Sequence, residues 1–262
     1  MKRVLIAFII LYIVGGCGKK EEGVSTEDAK GIAQSVASFT QDMAGKASQP
    51  ANFTPSSPVK GGITTQGNMT DQDKDGITVS GKWIFDIDTT LLGVHYLMKG
   101  EITHDDSILG DDSDPFKWHI IIGNGNYFIM ETMGYKIRMK GEVIASHQNN
   151  TYSLQFKDFC YDFTLDTLQA AISYNLTYSI TPKNVNWQPG NALTEANISI
   201  SGEMSYPNIN YAITIETTKE LHYNSGKIDN GIIEITINNT KVTIEYQSDG
   251  NYVIKLNGKI IS

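Results

Sequence analysis

The chain is poor in several things at once. Among its 262 residues it has two cysteines, Cys17 and Cys160, seven prolines, and only 21 Lys and Arg against 29 Asp and Glu. Nucleic-acid affinity comes mostly from basic side chains neutralising phosphates, so this balance argues against DNA or RNA as a partner. No apolar run is long enough to span a membrane. Residues 4–16 would rise about 20 Å as a helix, short of a hydrocarbon core of about 30 Å. Catalytic motifs are missing too: there is no Gly-x-Ser-x-Gly, no His-Glu-x-x-His and no phosphate-cradling glycine loop. The five histidines, His95, His104, His119, His147 and His222, are scattered singly without metal-ligand spacing. Acids abound, yet nothing marks two of them as an acid–base pair. The chain is expected not to be an enzyme.

What is present begins at the N-terminus. Lys2 and Arg3 supply a positive region, residues 4–14 an unbroken apolar one, and Gly15-Gly16 the small residues before Cys17. That is the layout of a secretory leader. Val14-Gly15-Gly16-Cys17 resembles the lipobox of bacterial lipoproteins, although members usually carry Leu where Val14 stands. The resemblance implies cleavage before Cys17 and a covalent diacylglyceryl lipid on its sulfur. Two acyl chains give stable anchoring where one gives marginal binding. In such proteins an Asp after the cysteine retains the chain at an inner membrane. Gly18 stands there instead, so the cell envelope, at an outer membrane where one exists, is the expected location. Losing residues 1–16 leaves 246 residues with a net charge of −10. Anionic headgroups would repel that charge, leaving the lipid to hold the chain. With Cys17 acylated, Cys160 is the single thiol and no internal disulfide can form.

Residues 17–76 divide into a charged tether, a helix over about 25–44 and a linker. Ser25-Thr26-Glu27-Asp28 offers a hydroxyl cap and first-turn acids. Ile32, Val36, Phe39 and Met43 follow at helical spacing, with Ala29, Ala33 and Ala37 keeping the stripe slim. Such a helix is expected to pack against a sheet or plug its open end. Residues 46–70 have the Pro, Ser, Thr and Gly content of a linker.

From residue 77 to 262 the period is two. Trp83, Phe85 and Ile87 alternate with Lys82, Asp86 and Asp88; Leu92, Val94, Tyr96, Met98 and Ile102 with His95, Lys99 and Glu101. Residues 135–143 and 172–181 repeat the pattern. One dry and one wet face imply antiparallel pairing, and roughly twelve strands are too many for a flat sheet. The expected fold is all-β: a single large, strongly curved antiparallel meander, half-barrel or barrel-like, with one short N-terminal helix. Tight turns are expected at Gly123-Asn124-Gly125, Met133-Gly134, Asn149-Asn150, Asn230-Gly231, Asn238-Asn239 and Asp249-Gly250. Gly81, Gly100, Gly141, Gly202 and Gly258 recur in one motif, apolar-x-Gly-charged-apolar, always in the apolar phase. A glycine there permits a bend or a bulky neighbour such as Trp83 or Tyr96. By this logic Asn257-Gly258 belongs inside the last strand. Near Lys157-Asp158 the apolar phase slips, which predicts a bulge and leaves Cys160 half-buried.

Asp71, Asp73 and Asp75, followed by Gly76, resemble the D-x-D-x-D-G half of calcium loops, in which oxygen ligands wrap a hard cation. Lys82 stands where an EF-hand needs its bidentate Glu, so any Ca2+ here would draw on Asp105, Asp106, Asp111, Asp112 or Asp114, and would serve stability. Together these features suggest a membrane-anchored envelope lipoprotein acting as a non-enzymatic binding or structural module, contacting an envelope protein or a glycan. The alternative is a carrier holding a lipid or other apolar ligand in a half-barrel cavity.

Overall fold

A computed structural model describes residues 24–46, 62–70, 78, 80–105, 116–165, 168–188, 191–206 and 211–261. Helix α1 spans Thr26–Lys46. Its start is the expected cap: the Asp28 N–H donates to Ser25 Oγ at 3.0 Å, and Ser25 Oγ donates back to Asp28 Oδ2 at 2.8 Å. Fourteen strands follow among the described residues, the first seven being β1 Ile63–Asn68, β2 Ser80–Leu91, β3 Val94–Asp105, β4 Trp118–Ile122, β5 Phe128–Thr132, β6 Tyr135–Gln148 and β7 Thr151–Leu165. The second half comprises β8 Leu168–Pro182, β9 Glu195–Tyr206, β10 Tyr211–Asn224, β11 Lys227–Ile237, β12 Thr240–Tyr246, β13 Tyr252–Leu256 and β14 Lys259–Ile260.

Every strand pairs antiparallel with its neighbour in the chain, so the sheet is one continuous meander from β1 to β14. The exception is β4 and β5, which lie end to end between β3 and β6. Gly123-Asn124-Gly125 is therefore an excursion from one strand position and joins no hairpin. The strand β1 falls in the stretch read as linker; its side chains are mostly exposed, so it carries no alternation to announce it. In β2 and β8 the alternation is obeyed: Trp83, Phe85 and Ile87 point inward, as do Ile172, Leu176, Tyr178 and Ile180; at Leu92, Tyr96 and Tyr135 it fails, and these dry-phase residues are exposed.

Curvature comes from bulges and glycines. The phase slip at Lys157-Asp158 is a bulge: Asp158 has φ 47°, and the register jumps between Phe156 and Phe159. Gly100, Gly141 and Gly202 lie at φ 126°, 133° and 139°. A Cβ would come within 2.9 Å of Phe128 Cα at Gly100 and 2.5 Å of Phe159 Cα at Gly141. These bends let the neighbouring strand's backbone lie over the glycine, as a coiled sheet requires. Two turn assignments exchange places. Asn257-Gly258 is the β13–β14 turn, Asn257 at φ 48°, and is no strand interior. Asn230-Gly231 lies inside β11, with Gly231 at φ 119° facing a bulge in β10. At that bulge Thr217 Oγ1 replaces the ladder for Ile200, accepting from its N–H at 2.8 Å and donating to its C=O at 3.1 Å. Leu92, read as a strand residue, is at the β2–β3 turn.

The helix lies in the concavity. Ala29, Ile32, Ala33, Val36, Ala37, Phe39, Thr40 and Ala44 are all buried, more than a single stripe. Over three residues α1 meets the adjacent strands β7 and β8 and the distant strand β11. Phe39 sets its ring edge-on to Phe156 of β7 at 6.0 Å, and the Thr40 C=O accepts from Tyr178 Oη of β8 at 3.5 Å. Gln41 Oε1 accepts from the Ile228 N–H of β11 at 3.1 Å. Laid flat, β7 to β11 would span about 19 Å, while a helix is about 10 Å across. The sheet must wrap to make all three contacts. One contiguous apolar core runs from α1 through the strands.

Candidate functional site

The residues singled out by sequence motifs, Cys17 and the aspartates Asp71, Asp73 and Asp75, lie outside the described residues. So do Asp106, Asp111, Asp112 and Asp114; Asp105 ends β3. Among the described residues no group of three or more His, Cys, Asp or Glu gathers as metal ligands.

The β4–β5 excursion opens a hollow of about 420 Å³ on the wet face, open to solvent, lined by Lys82, Ile84, Phe85, Gly100, Glu101, Gly123, Asn124 and Asn126. It exists because the chain leaves the sheet where Gly100 bends it. Lys82 Nζ pairs with Glu101 Oε2 at 3.0 Å in its floor. Partial burial raises the Glu101 carboxyl pKa, but Lys82 and Asn124 outweigh this and hold it below the usual carboxylate range. Beside the hollow Tyr127 lies under two cations, Arg138 Cζ at 4.4 Å and Lys140 Nζ at 5.0 Å from its ring centre. Arg138 is itself bound to Asp162. The lining offers amides and one ion pair, a set suited to hydrogen-bonding a polar ligand. It contains no nucleophile poised beside a base.

The histidines occupy five different surroundings. His95 is exposed and pairs with Asp88 at 2.9 Å, which lowers the Asp88 carboxyl pKa. His119 reaches Glu142 at 3.0 Å, and His147 stacks on Tyr152 with ring centres 5.6 Å apart. His222 on β10 is held between Glu195 Oε1 of β9 at 3.0 Å and Asp229 Oδ1 of β11 at 2.6 Å. Those two carboxylates, Glu195 foremost, raise its pKa. His104 is fully buried, its ring 4.2 Å from that of Trp83, and burial lowers its pKa to about 4. Cys160 is half-buried and its sulfur accepts from Ser173 Oγ at 3.3 Å.

Sequence reasoning missed one surface. Leu91, Leu92 and Tyr96 of the β2–β3 hairpin, and Met133 and Tyr135 of the β5–β6 hairpin, are exposed. Strict alternation places Leu92 and Tyr96 in a dry phase, which hides a turn whose tip is apolar.

The fold and surface define a class: a helix-filled antiparallel meander in which, among the described residues, β1 and β14 do not pair to close a barrel. No family model matches the chain, no curated protein matches its sequence and no solved structure matches its fold.

Proposed function

We propose that this chain is a lipid-anchored lipoprotein of the bacterial cell envelope, held at an outer membrane where one exists, and that it acts there as a non-enzymatic binding or structural module. The observation that carries the reading is the joining of two features. A lipobox-like Cys17 precedes, by a seven-residue tether, a helix fixed in the concave face of a sheet. The concavity in which a carrier would hold its ligand is occupied by α1, so recognition falls to the outer face and the loops, where the Lys82–Glu101 hollow faces solvent. A glycan or a polar protein surface suits that lining better than an apolar ligand. In the native chain, mass spectrometry is expected to show an N-terminus at Cys17 bearing diacylglyceryl mass, and Cys17→Ser is expected to remove that mass. An unmodified native N-terminus would sink the anchor.

Calcium at Asp71, Asp73 and Asp75 belongs to the same proposal, as an ion that tightens the entry to β2. A ligand that binds only the folded chain stabilises it by RT ln(1 + [L]/Kd). Chelator is therefore expected to lower Tm by several degrees and added Ca2+ to restore it. An unchanged melt removes calcium from the reading.

A further inference from the structure

We infer that the two neighbouring hairpin tips, Leu92-Gly93 and Met133-Gly134, dip into the membrane to which the lipid on Cys17 would tether the chain. The inference rests on the anchored reading for its orientation. Among the described residues eight non-glycine residues have positive φ, and six of them are Asn, Asp or Ser, the types whose short polar side chains tolerate that conformation. The two exceptions are Leu92 at φ 52° and Met133 at φ 49°. Neither is there for packing: Leu92 is 105% exposed and Met133 66%. Backbone preference and the core both argue against Leu and Met at these positions, so a surface outside the molecule must account for them.

Their placement is concerted. Of seven large apolar residues exposed among the described residues, five belong to these two hairpins; Val185 and Ile260 are the others. Thr132 pairs with Tyr96 and with Tyr135, so β3, β5 and β6 set the hairpins side by side, with tips about two strand spacings, or about 10 Å, apart. Just behind the tips, Tyr96 is 37% and Tyr135 43% exposed. Tyrosine is enriched where hydrocarbon meets water. Among the described residues the lysines nearest the rim are matched by acids, Lys136 by Glu131 at 3.4 Å and Lys99 by Asp86 at 3.8 Å, and Asp88 shares a hydrogen bond with His95 at 2.9 Å. An acidic chain thus presents an apolar rim without unmatched lysines, which fits zwitterionic lipid better than an acidic protein partner.

The tether points the same way. In a meander, β2, β5, β7 and β9 finish at the end where β3, β6, β8 and β10 begin. Tyr211, the first residue of β10, donates through Oη to Asp28 Oδ2 at 2.9 Å. The start of α1 is therefore at the end of the sheet that carries the tips. From Val24 back to Cys17 the chain can reach at most about 24 Å, so an acylated Cys17 brings a bilayer to this end and not the other.

The test uses the full chain, exported with its leader, extracted and reconstituted into phosphatidylcholine–phosphatidylethanolamine vesicles. An environment-sensitive fluorophore is attached through Leu92→Cys, Met133→Cys or, as a control at the opposite end, Val185→Cys, each with Cys160→Ser. Blue-shifted emission rising several-fold at 92 and 133, quenched by nitroxide-labelled lipid and absent at 185, is the expected result. With Leu92→Asn and Met133→Asn together and the probe moved to Leu91→Cys, the shift should vanish while Tm holds or rises, because Asn suits the backbone. A retained shift in that variant overturns insertion. If the chain is acylated and membrane-bound but the tip probes report water, insertion fails and anchoring stands. When the tips shift on vesicle addition in an unacylated chain, anchoring fails and insertion stands. A shift that follows protein concentration without vesicles makes the rim an interface between copies and overturns the inference.

Discussion

Gly202→Ala is expected to cost about 3–5 kcal/mol of folding stability, a large share of the roughly 5–15 kcal/mol that a folded domain possesses. Gly202 has φ 139°, a conformation that side-chain-bearing residues rarely adopt. Its missing Cβ also leaves room for β8. An alanine methyl would overlap the Asn175 carbonyl oxygen and come within 2.9 Å of Leu176 Cα. Both atoms are backbone, so no rotamer change relieves the clash; the β8–β9 ladder must part. Backbone strain contributes about 1–3 kcal/mol and overpacking about as much again. Gly258→Ala is the control, since Gly258 shares the sequence motif and a positive φ of 82° but has nothing within 4 Å. It should lose only about 1 kcal/mol, the strain alone. Urea midpoints followed by tyrosine and tryptophan fluorescence would decide the matter. Equal losses at the two sites would show that the close approach at Gly202 contributes nothing.

That pair also shows how far the chain could be read from its residues. Alternation of period two is local, and it foretold the dry faces of β2, β6 and β8. A one-residue slip is local as well, and it located the bulge at Asp158. A hairpin turn and a coil in mid-strand, however, both place glycine at positive φ, often after Asn. What separates Gly258 from Gly231 is the presence of Leu221 Cα within 2.6 Å of the Cβ position at Gly231. That neighbour is supplied by another strand, so no window of sequence contains it. Strand β1 was hidden for a related reason: an exposed edge strand needs no apolar phase. The burial of α1 exceeded its apolar stripe because small residues, Ala29, Ala33, Ala37 and Ala44, let it sink into a concavity that only the finished sheet creates. For the functional surfaces the order reverses. Cys17 and the aspartates Asp71, Asp73 and Asp75 are legible as motifs because the lipidation and calcium binding proposed for them depend on adjacent residues. The apolar rim is legible only in three dimensions, where two turns far apart in the chain come to one edge.

Acid is expected to weaken the fold through His104. The side chain continues the inward phase of β3, opposite Ile120, with no exposure to solvent and its ring against Trp83. Burial disfavours the charged imidazolium and lowers its pKa to about 4. In the unfolded chain the same group binds a proton near its ordinary value of about 6.5. Between those values the unfolded state holds the extra proton. The contribution of His104 is therefore complete above about 6.5 and is lost as pH falls toward 4, with a slope of about 1.4 kcal/mol per pH unit. Between pH 7 and 4.5 the loss should total about 2–3 kcal/mol. His222 works in the opposite sense and in a different window. Glu195 and Asp229 raise its pKa, so its contribution is full below 6.5 and fades only as pH rises through the higher folded value. Carboxylates also titrate on the acid side, and a comparison with His104→Phe, which keeps a ring beside Trp83, subtracts them. Urea unfolding at pH 7, 6, 5 and 4.5 should show the native chain losing about 2–3 kcal/mol more than the variant across that range. Parallel losses in the two proteins would mean that His104 takes up its proton as readily inside the core as in the unfolded chain.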